Sequence, residues 1–315
     1  MDSSSKISNA EIMERFLSHI TSERRYSLLT VRNYRHDIEE FVRWGEGNSA
    51  DGEFSLLKAQ AEDMREWIMY LSDERKMKAS SVNRCVASLR SLYRYLRRME
   101  IVDRDIFALI PSLRTPYRLP KFVPEGDMIG VVDHILNLLH EGEWRQRRDA
   151  MMVLLLYSCG IRLAELAGIN DEDFENNFTT LRVRGKGDKE RLVPLTNRVQ
   201  RDVEHFVNRK FPPDICKNQE KALFLSKQAE RISRSDVQRS VARLLRECGV
   251  EGKCSPHVLR HTFATHLLND GADMREIQEL MGHASLSSTQ VYTHNNIAQL
   301  QRAYFAAHPR SKGLD

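Results

Sequence analysis

Mainly α with a small antiparallel β-sheet is the fold class that three features of this 315-residue chain predict. Apolar residues recur at helical spacing through most of the sequence, which buries one stripe of each helix. One stretch, residues 181–194, instead alternates apolar and polar residues on either side of Gly185-Lys186-Gly187-Asp188, as two short strands joined by a turn do. Four of the nine prolines crowd between Pro111 and Pro124, where neither helix nor sheet interior tolerates them. A chain of this length exceeds one typical core, so two domains are expected: 1–110, a linker at 111–124, and 125–315.

The first domain reads as a small helical bundle. Val31, Tyr34, Ile38, Phe41 and Val42 mark one helix, and Val82, Val86, Leu89, Tyr93 and Leu96 another. The second is expected to start at Ser80 or Ser81, whose hydroxyls can cap free amides. Beside its apolar stripe lie Arg84, Arg90, Arg94, Arg97 and Arg98, either a solvated basic face or a surface for a phosphate backbone. The linker prolines Pro111, Pro116, Pro120 and Pro124 alternate with Arg114, Arg118 and Lys121. That composition suits a plain solvated connection or a strap lying along a polyanion.

In the second domain, Met151 to Tyr157 is almost continuously apolar and stops at Cys159-Gly160, a buried helix ended by a left-handed glycine. The two strands follow. In Ser255-Pro256-His257-Val258-Leu259-Arg260-His261-Thr262, serine is a natural N-cap and proline a natural first helical residue. His257 then sits in the first turn with Arg260 on the same face, and the positive end of the helix suits an anionic oxygen. A further helix begins at Asp273, boxed with Glu276, and ends at Gly282 just before His283. Tyr292 and a helical pattern of Ile297, Leu300 and Tyr304 complete the chain.

Composition narrows the class. Apolar residues make up 41% and charged residues 29%, ordinary for a globular protein and unlike a disordered or collagenous one. The formal charge of +4 is compatible with a polyanionic partner. Five cysteines without a C-x-x-C pair do not form a disulfide framework, so a reducing cytoplasm is expected. No basic stretch leads into an apolar run at the N-terminus, and no segment reaches the roughly 18 apolar residues of a spanning helix, so neither secretion nor a membrane anchor is expected.

Taken in order, Gly160-Ile161-Arg162-Leu163-Ala164-Glu165-Leu166, Gly185-Lys186-Gly187-Asp188-Lys189-Glu190-Arg191, His257-Val258-Leu259-Arg260-His261, Leu280-Met281-Gly282-His283 and Val291-Tyr292 closely resemble the phage integrase, or tyrosine recombinase, family, most of all its bacterial Xer-like members. Thr30, Tyr34, Asp37 and Phe41 are similar to the family's N-terminal part. The resemblance implies a helical core-binding (SAM-like) bundle at 1–110 and an α+β tyrosine recombinase catalytic domain at 125–315. It implies a DNA nucleophile at Tyr292, a phosphate clamp of Arg162 and Arg260, His257 and His283 completing the pocket, and Lys186 as general acid. Lys189 and Arg191 are alternatives for the cation of the hairpin, Lys189 first.

Chemistry makes these roles reasonable. A phenol with pKa of about 10 is roughly one part in a thousand ionised at neutral pH, so attack needs a proton acceptor and nearby positive charge. Two guanidinium groups match the charge that builds on the phosphate oxygens. Exchange of each phosphodiester for a 3′-phosphotyrosine requires neither metal nor nucleotide cofactor. The resemblance further implies double-stranded DNA as partner, a tetramer assembled through the C-terminal helix with or without a second related recombinase, and a cytoplasmic, nucleoid-associated bacterial setting. Three other readings stand beside it: a zinc site at Cys254, His257 and His261, a DNA-binding protein that does not cut, and a type IB topoisomerase.

Overall fold

The computed structural model describes residues 7–24, 26–116, 121–185, 189–209 and 221–282. The chain divides between Arg118 and Leu119 into two compact units.

The first unit is all helix: α1 (Asn9–Ser22), α2 (Leu28–Asn48), α3 (Ala61–Met69), which runs on into a π-helical turn at Tyr70–Glu74, and α4 (Ala79–Arg98). Phe16, Ile38, Phe41, Trp67, Leu71, Leu89 and Leu92 are buried together, and the Phe41 and Trp67 rings lie 5.0 Å apart. Such clusters of buried apolar area supply most of the driving force for a bundle of this size. The α4 start differs from the sequence expectation. Lys78 occupies the cap position without a side-chain bond, so Ser80 and Ser81 lie inside the first turn, where their hydroxyls do not cap.

One buried polar group organises this unit. Asp37 is fully buried on α2 and accepts from Arg84 Nη1 at 2.5 Å, Ser88 Oγ at 2.6 Å and Cys85 Sγ at 3.5 Å, all on α4. A buried carboxylate persists only when its oxygens are satisfied in this way.

The second unit is built around α6 (Trp144–Cys159), buried continuously from Arg148 to Cys159. Around it pack α5 (Glu125–Glu141), α7 (Leu163–Gly168), α8 (Asn197–Arg209), α9 (Arg234–Glu247) and α10 (Pro256–Asn269), with α11 (Met274–Met281) against α10. A helix apolar on all sides belongs in a core, as the Met151–Tyr157 run predicts. A three-stranded antiparallel sheet comprises β1 (Phe174–Glu175), β2 (Thr180–Arg184) and β3 (Glu190–Pro194). Leu181 faces Val193 and Val183 faces Arg191 across the ladder, so the strand alternation sends Arg191 to the buried face with Val193.

Each end of the linker is tied to its own unit. The Asn83 side chain on α4 both donates to the Leu113 carbonyl and accepts from its amide, each at 2.8 Å. In the second unit, Thr262 Oγ1 accepts from the Val123 amide at 2.9 Å, while His266 Nε2 lies 3.0 Å from the Val123 carbonyl. Both captors are buried on α10.

Candidate active site

Four elements bring the site together. The α6 helix ends at Gly160, whose φ of 56° is left-handed. A Cβ there would lie 2.3 Å from the Phe263 ring, so only glycine permits both this turn and the close approach of α10. Arg162 follows as the residue preceding α7. Its backbone amide donates to Glu165 Oε2 and its Nη1 to Glu165 Oε1, both at 2.8 Å. Its Nη2 donates to the Gly282 carbonyl at 2.9 Å. At 39% side-chain exposure, Arg162 remains open to an incoming anion.

Arg260 is buried one turn into α10. It donates through Nη1 to the Gly160 carbonyl and through Nη2 to the Met281 carbonyl, the latter at 2.6 Å. Burial, then the neighbouring Arg162 charge, pull its pKa down to about 10, with Glu165 opposing. That value leaves the guanidinium charged at neutral pH. Arg162 and Arg260, 98 residues apart by numbering, thus meet successive carbonyls at the end of α11. There Gly282, with φ of 65°, makes the left-handed stop.

Glu165 is the buried acid of this arrangement. Arg191 holds it through two bonds, Nη1 to Oε1 at 3.0 Å and Nη2 to Oε2 at 2.8 Å. Burial alone would raise the Glu165 pKa, but the bonds and charge of Arg191, with those of Arg162, outweigh it and hold the carboxyl at about 2. Of the two alternatives for the hairpin cation, Arg191 is corrected by this geometry. Its guanidinium is turned inward onto Glu165 and the Leu280 carbonyl and is not free to meet a ligand at the turn. Lys189 is exposed, and its carbonyl closes the hairpin base by accepting from the Gly185 amide at 2.7 Å.

His257 lies exposed in the first turn of α10, after Ser255 at the cap position and Pro256 at the first helical position. The Ser255 hydroxyl differs from expectation: it makes no capping bond and, among the described residues, finds no partner. Among those residues, too, no three His, Cys, Asp or Glu side chains converge as metal ligands. Cys254 of the proposed zinc triplet is buried and donates to the Val250 carbonyl at 3.4 Å. Lys186, His283, Tyr292 and Arg118 lie outside the described residues.

In the first unit the α4 arginines are individually engaged. Arg84 pairs with Asp37; Arg90 donates to the Ile110 carbonyl at 3.0 Å and lies over the Phe107 ring; Arg97 pairs with Asp105 at 2.9 Å; Arg98 reaches His19 and Glu23. Arg94, Arg114 and Lys121 are exposed. The arc expected from the sequence is therefore a row of arginines largely held by neighbouring groups, with Arg94 exposed among them. Its signal, helical periodicity, locates the arginines but not the partners 8 to 79 residues away in sequence that hold them.

Sequence reasoning missed Arg191 as the principal partner of Glu165. The signal was present: counting back by two from Val193, a buried residue of a half-buried strand, reaches Arg191.

Comparison with known proteins agrees with the architecture. The family described as "Phage integrase family" matches residues 131–299, and "Phage integrase, N-terminal SAM-like domain" matches residues 13–100. The chain is 36% identical over 301 residues to tyrosine recombinase XerC of Psychromonas ingrahamii, covering 96% of this chain and 97% of that one. It is 34% identical over 301 residues to tyrosine recombinase XerD of Yersinia pestis, covering 95% and 98%. Its fold is similar to that of XerH site-specific recombinase bound to palindromic difH substrate in a post-cleavage complex, with a TM-score of 0.69 at 18% identity, over 94% of this chain and 84% of that one. With two family matches in order and full-length relatives above 30% identity, the chain belongs to the phage integrase family and is an Xer-like tyrosine site-specific recombinase.

Proposed function

We propose that this recombinase cuts and rejoins double-stranded DNA through a 3′-phosphotyrosyl intermediate formed by Tyr292. The observation that carries this reading is the convergence of Arg162 and Arg260 on adjacent carbonyls at the end of α11. Two fixed guanidinium groups, one partly open and one buried, make a place where charge developing on a phosphate is stabilised without reorganisation. His257, exposed at the positive end of α10, is suited to accept the phenolic proton as Tyr292 attacks. The P–O bond to the 5′-oxygen breaks as the bond to the tyrosine oxygen forms. Lys186 protonates the departing oxygen, with Lys189 as its alternative, and His283 completes the pocket.

The reverse attack by a 5′-hydroxyl of another duplex restores the phosphodiester and releases tyrosine. The number of phosphoester bonds is unchanged, so the cycle needs no nucleotide, and the two guanidinium groups supply the positive charge that a metal would otherwise give.

The first unit supplies grip, through Arg84, Arg90, Arg94, Arg97 and Arg98, and the linker residues Arg114, Arg118 and Lys121 follow the backbone. Solved structures of similar fold bound to DNA, such as the Tn1549 transposon integrase in complex with circular intermediate DNA, support DNA as the ligand. Exchange of the C-terminal helix between copies would join four chains on two sites, for chromosome dimer resolution or for movement of a mobile element. That assembly would form with or without a second related recombinase.

Recovery of DNA that survives denaturing washes tests this reading, comparing the wild-type chain with Tyr292→Phe and sequencing the captured DNA. The expected result is DNA from a few discrete loci on the wild type and none on Tyr292→Phe, which still binds those loci without denaturant. Equal recovery from both chains, or none from either, would favour a protein that binds DNA without cutting it.

A further inference from the structure

The last three carbonyls before residue 283 each receive a guanidinium, and each guanidinium comes from a different element. Arg191 Nε on β3 donates to Leu280 at 2.9 Å, Arg260 on α10 to Met281 at 2.6 Å, and Arg162 beside α7 to Gly282 at 2.9 Å. Two of the three belong to the clamp described above. Arg191 does not: its side chain is 8% exposed and its fork is spent on Glu165.

What Arg191 touches nevertheless determines where the clamp stands. Glu165, held by its two parallel bonds, in turn fixes both the backbone amide and the guanidinium of Arg162. The Arg191 Nε fixes the end of α11, and the turn at Gly282 wraps directly against that side chain, since a Cβ on Gly282 would lie 3.0 Å from Arg191 Nη1. Its backbone lies in β3, two residues beyond Lys189, whose carbonyl closes the hairpin. A planar fork can satisfy a carboxylate with two donors while a third points elsewhere; an ammonium is a point charge and cannot reproduce that geometry.

We propose that Arg191 is a positioning residue for strand cleavage, a brace that sets the β2–β3 hairpin, Arg162 and the α11 terminus in one register around the scissile phosphate. This rests on the recombinase reading above. Displacement of reacting groups by about 1 Å can cost about 10²-fold in rate, so loss of the brace acts on the chemical step and leaves DNA affinity nearly untouched.

The test uses full-length protein and a synthetic duplex of the sequence captured covalently by the wild-type chain, nicked so that cleavage is trapped. A second duplex carries a methylphosphonate at the scissile position, which removes the charge that the clamp stabilises. With Arg191→Lys, covalent attachment at saturating protein is expected to slow at least tenfold on the phosphodiester, with affinity within twofold of wild type. On the methylphosphonate the gap between wild type and variant is expected to close to within about threefold. A merely structural role would leave the gap the same on both duplexes.

Arg191→Gln, which keeps donors without charge, is the second variant if the lysine chain is unstable. Attachment at the wild-type rate, a gap indifferent to the phosphonate, or unfolding of both variants would each overturn the proposal. Failure of the wild-type chain itself to attach would instead remove the recombinase reading on which it stands.

Discussion

On α4, Arg97 pairs with Asp105 and Arg98 reaches His19 and Glu23, with these arginine side chains close to half exposed. In the second unit, Arg191 and Arg260 are each under a tenth exposed and donate to backbone carbonyls at the end of one short helix. The same residue type thus serves two physical purposes. Exposed pairs contribute little to stability and leave their charge largely available to a polyanion. Buried guanidinium groups are fixed by the bonds they make and depend on one another, because removal of one partner leaves an uncompensated buried charge. The first arrangement tolerates change, and the second fails as a unit.

That contrast is broken most severely at Glu165. Glu165→Ala strips Arg191 of both fork partners and is expected to destabilise the second unit by about 3–5 kcal/mol, measured by denaturant or thermal unfolding. Acid titrates the same contribution. The folded carboxyl, at about 2, lies below its ordinary 4.5, so the unfolded chain binds the extra proton first. Stability is fully present above that ordinary value and is lost as the pH falls through the interval down to about 2.

A smaller effect is expected at His266, buried between Tyr157 and the Val123 carbonyl. Burial holds its pKa below the ordinary 6.5, with the Val123 carbonyl, Glu125 and Asp270 pulling upward. Between the folded and unfolded values the unfolded chain carries more protons. Stability from this group is therefore complete above 6.5 and declines as pH drops below it. His266→Gln should cost about 1 kcal/mol at pH 8, the order of one buried hydrogen bond. It should also flatten the fall in melting temperature as the pH drops below 6.5. A variant as steep as wild type would show that other groups set that slope.

How much could be read without coordinates depended on whether the determining contact was local. Gly160 and Gly282 announce helix ends because a left-handed residue is a property of one position, and both take that conformation. The β2–β3 pair and the start of α10 at Pro256 are legible for the same reason. The α4 start was misplaced by two to three residues because serines within a first turn look like caps in sequence. The Arg84–Asp37 and Arg191–Glu165 pairs, 47 and 26 residues apart, depend on tertiary packing. No local pattern reports them, although strand alternation already turns Arg191 inward.

The most direct measurement of the division between clamp and grip is single-turnover covalent attachment of Arg260→Ala and Arg94→Ala to the same nicked duplex, with affinity determined in parallel. Arg260→Ala is expected to lower the rate at saturating protein by about 10²–10³-fold, as loss of a preorganised charge-stabilising donor does, with affinity nearly preserved. Arg94→Ala is expected to keep that rate, weaken binding and reduce its salt dependence by about one contact. A saturating rate unchanged in Arg260→Ala, or lowered equally in both variants, would contradict a phosphate clamp built on the end of α11.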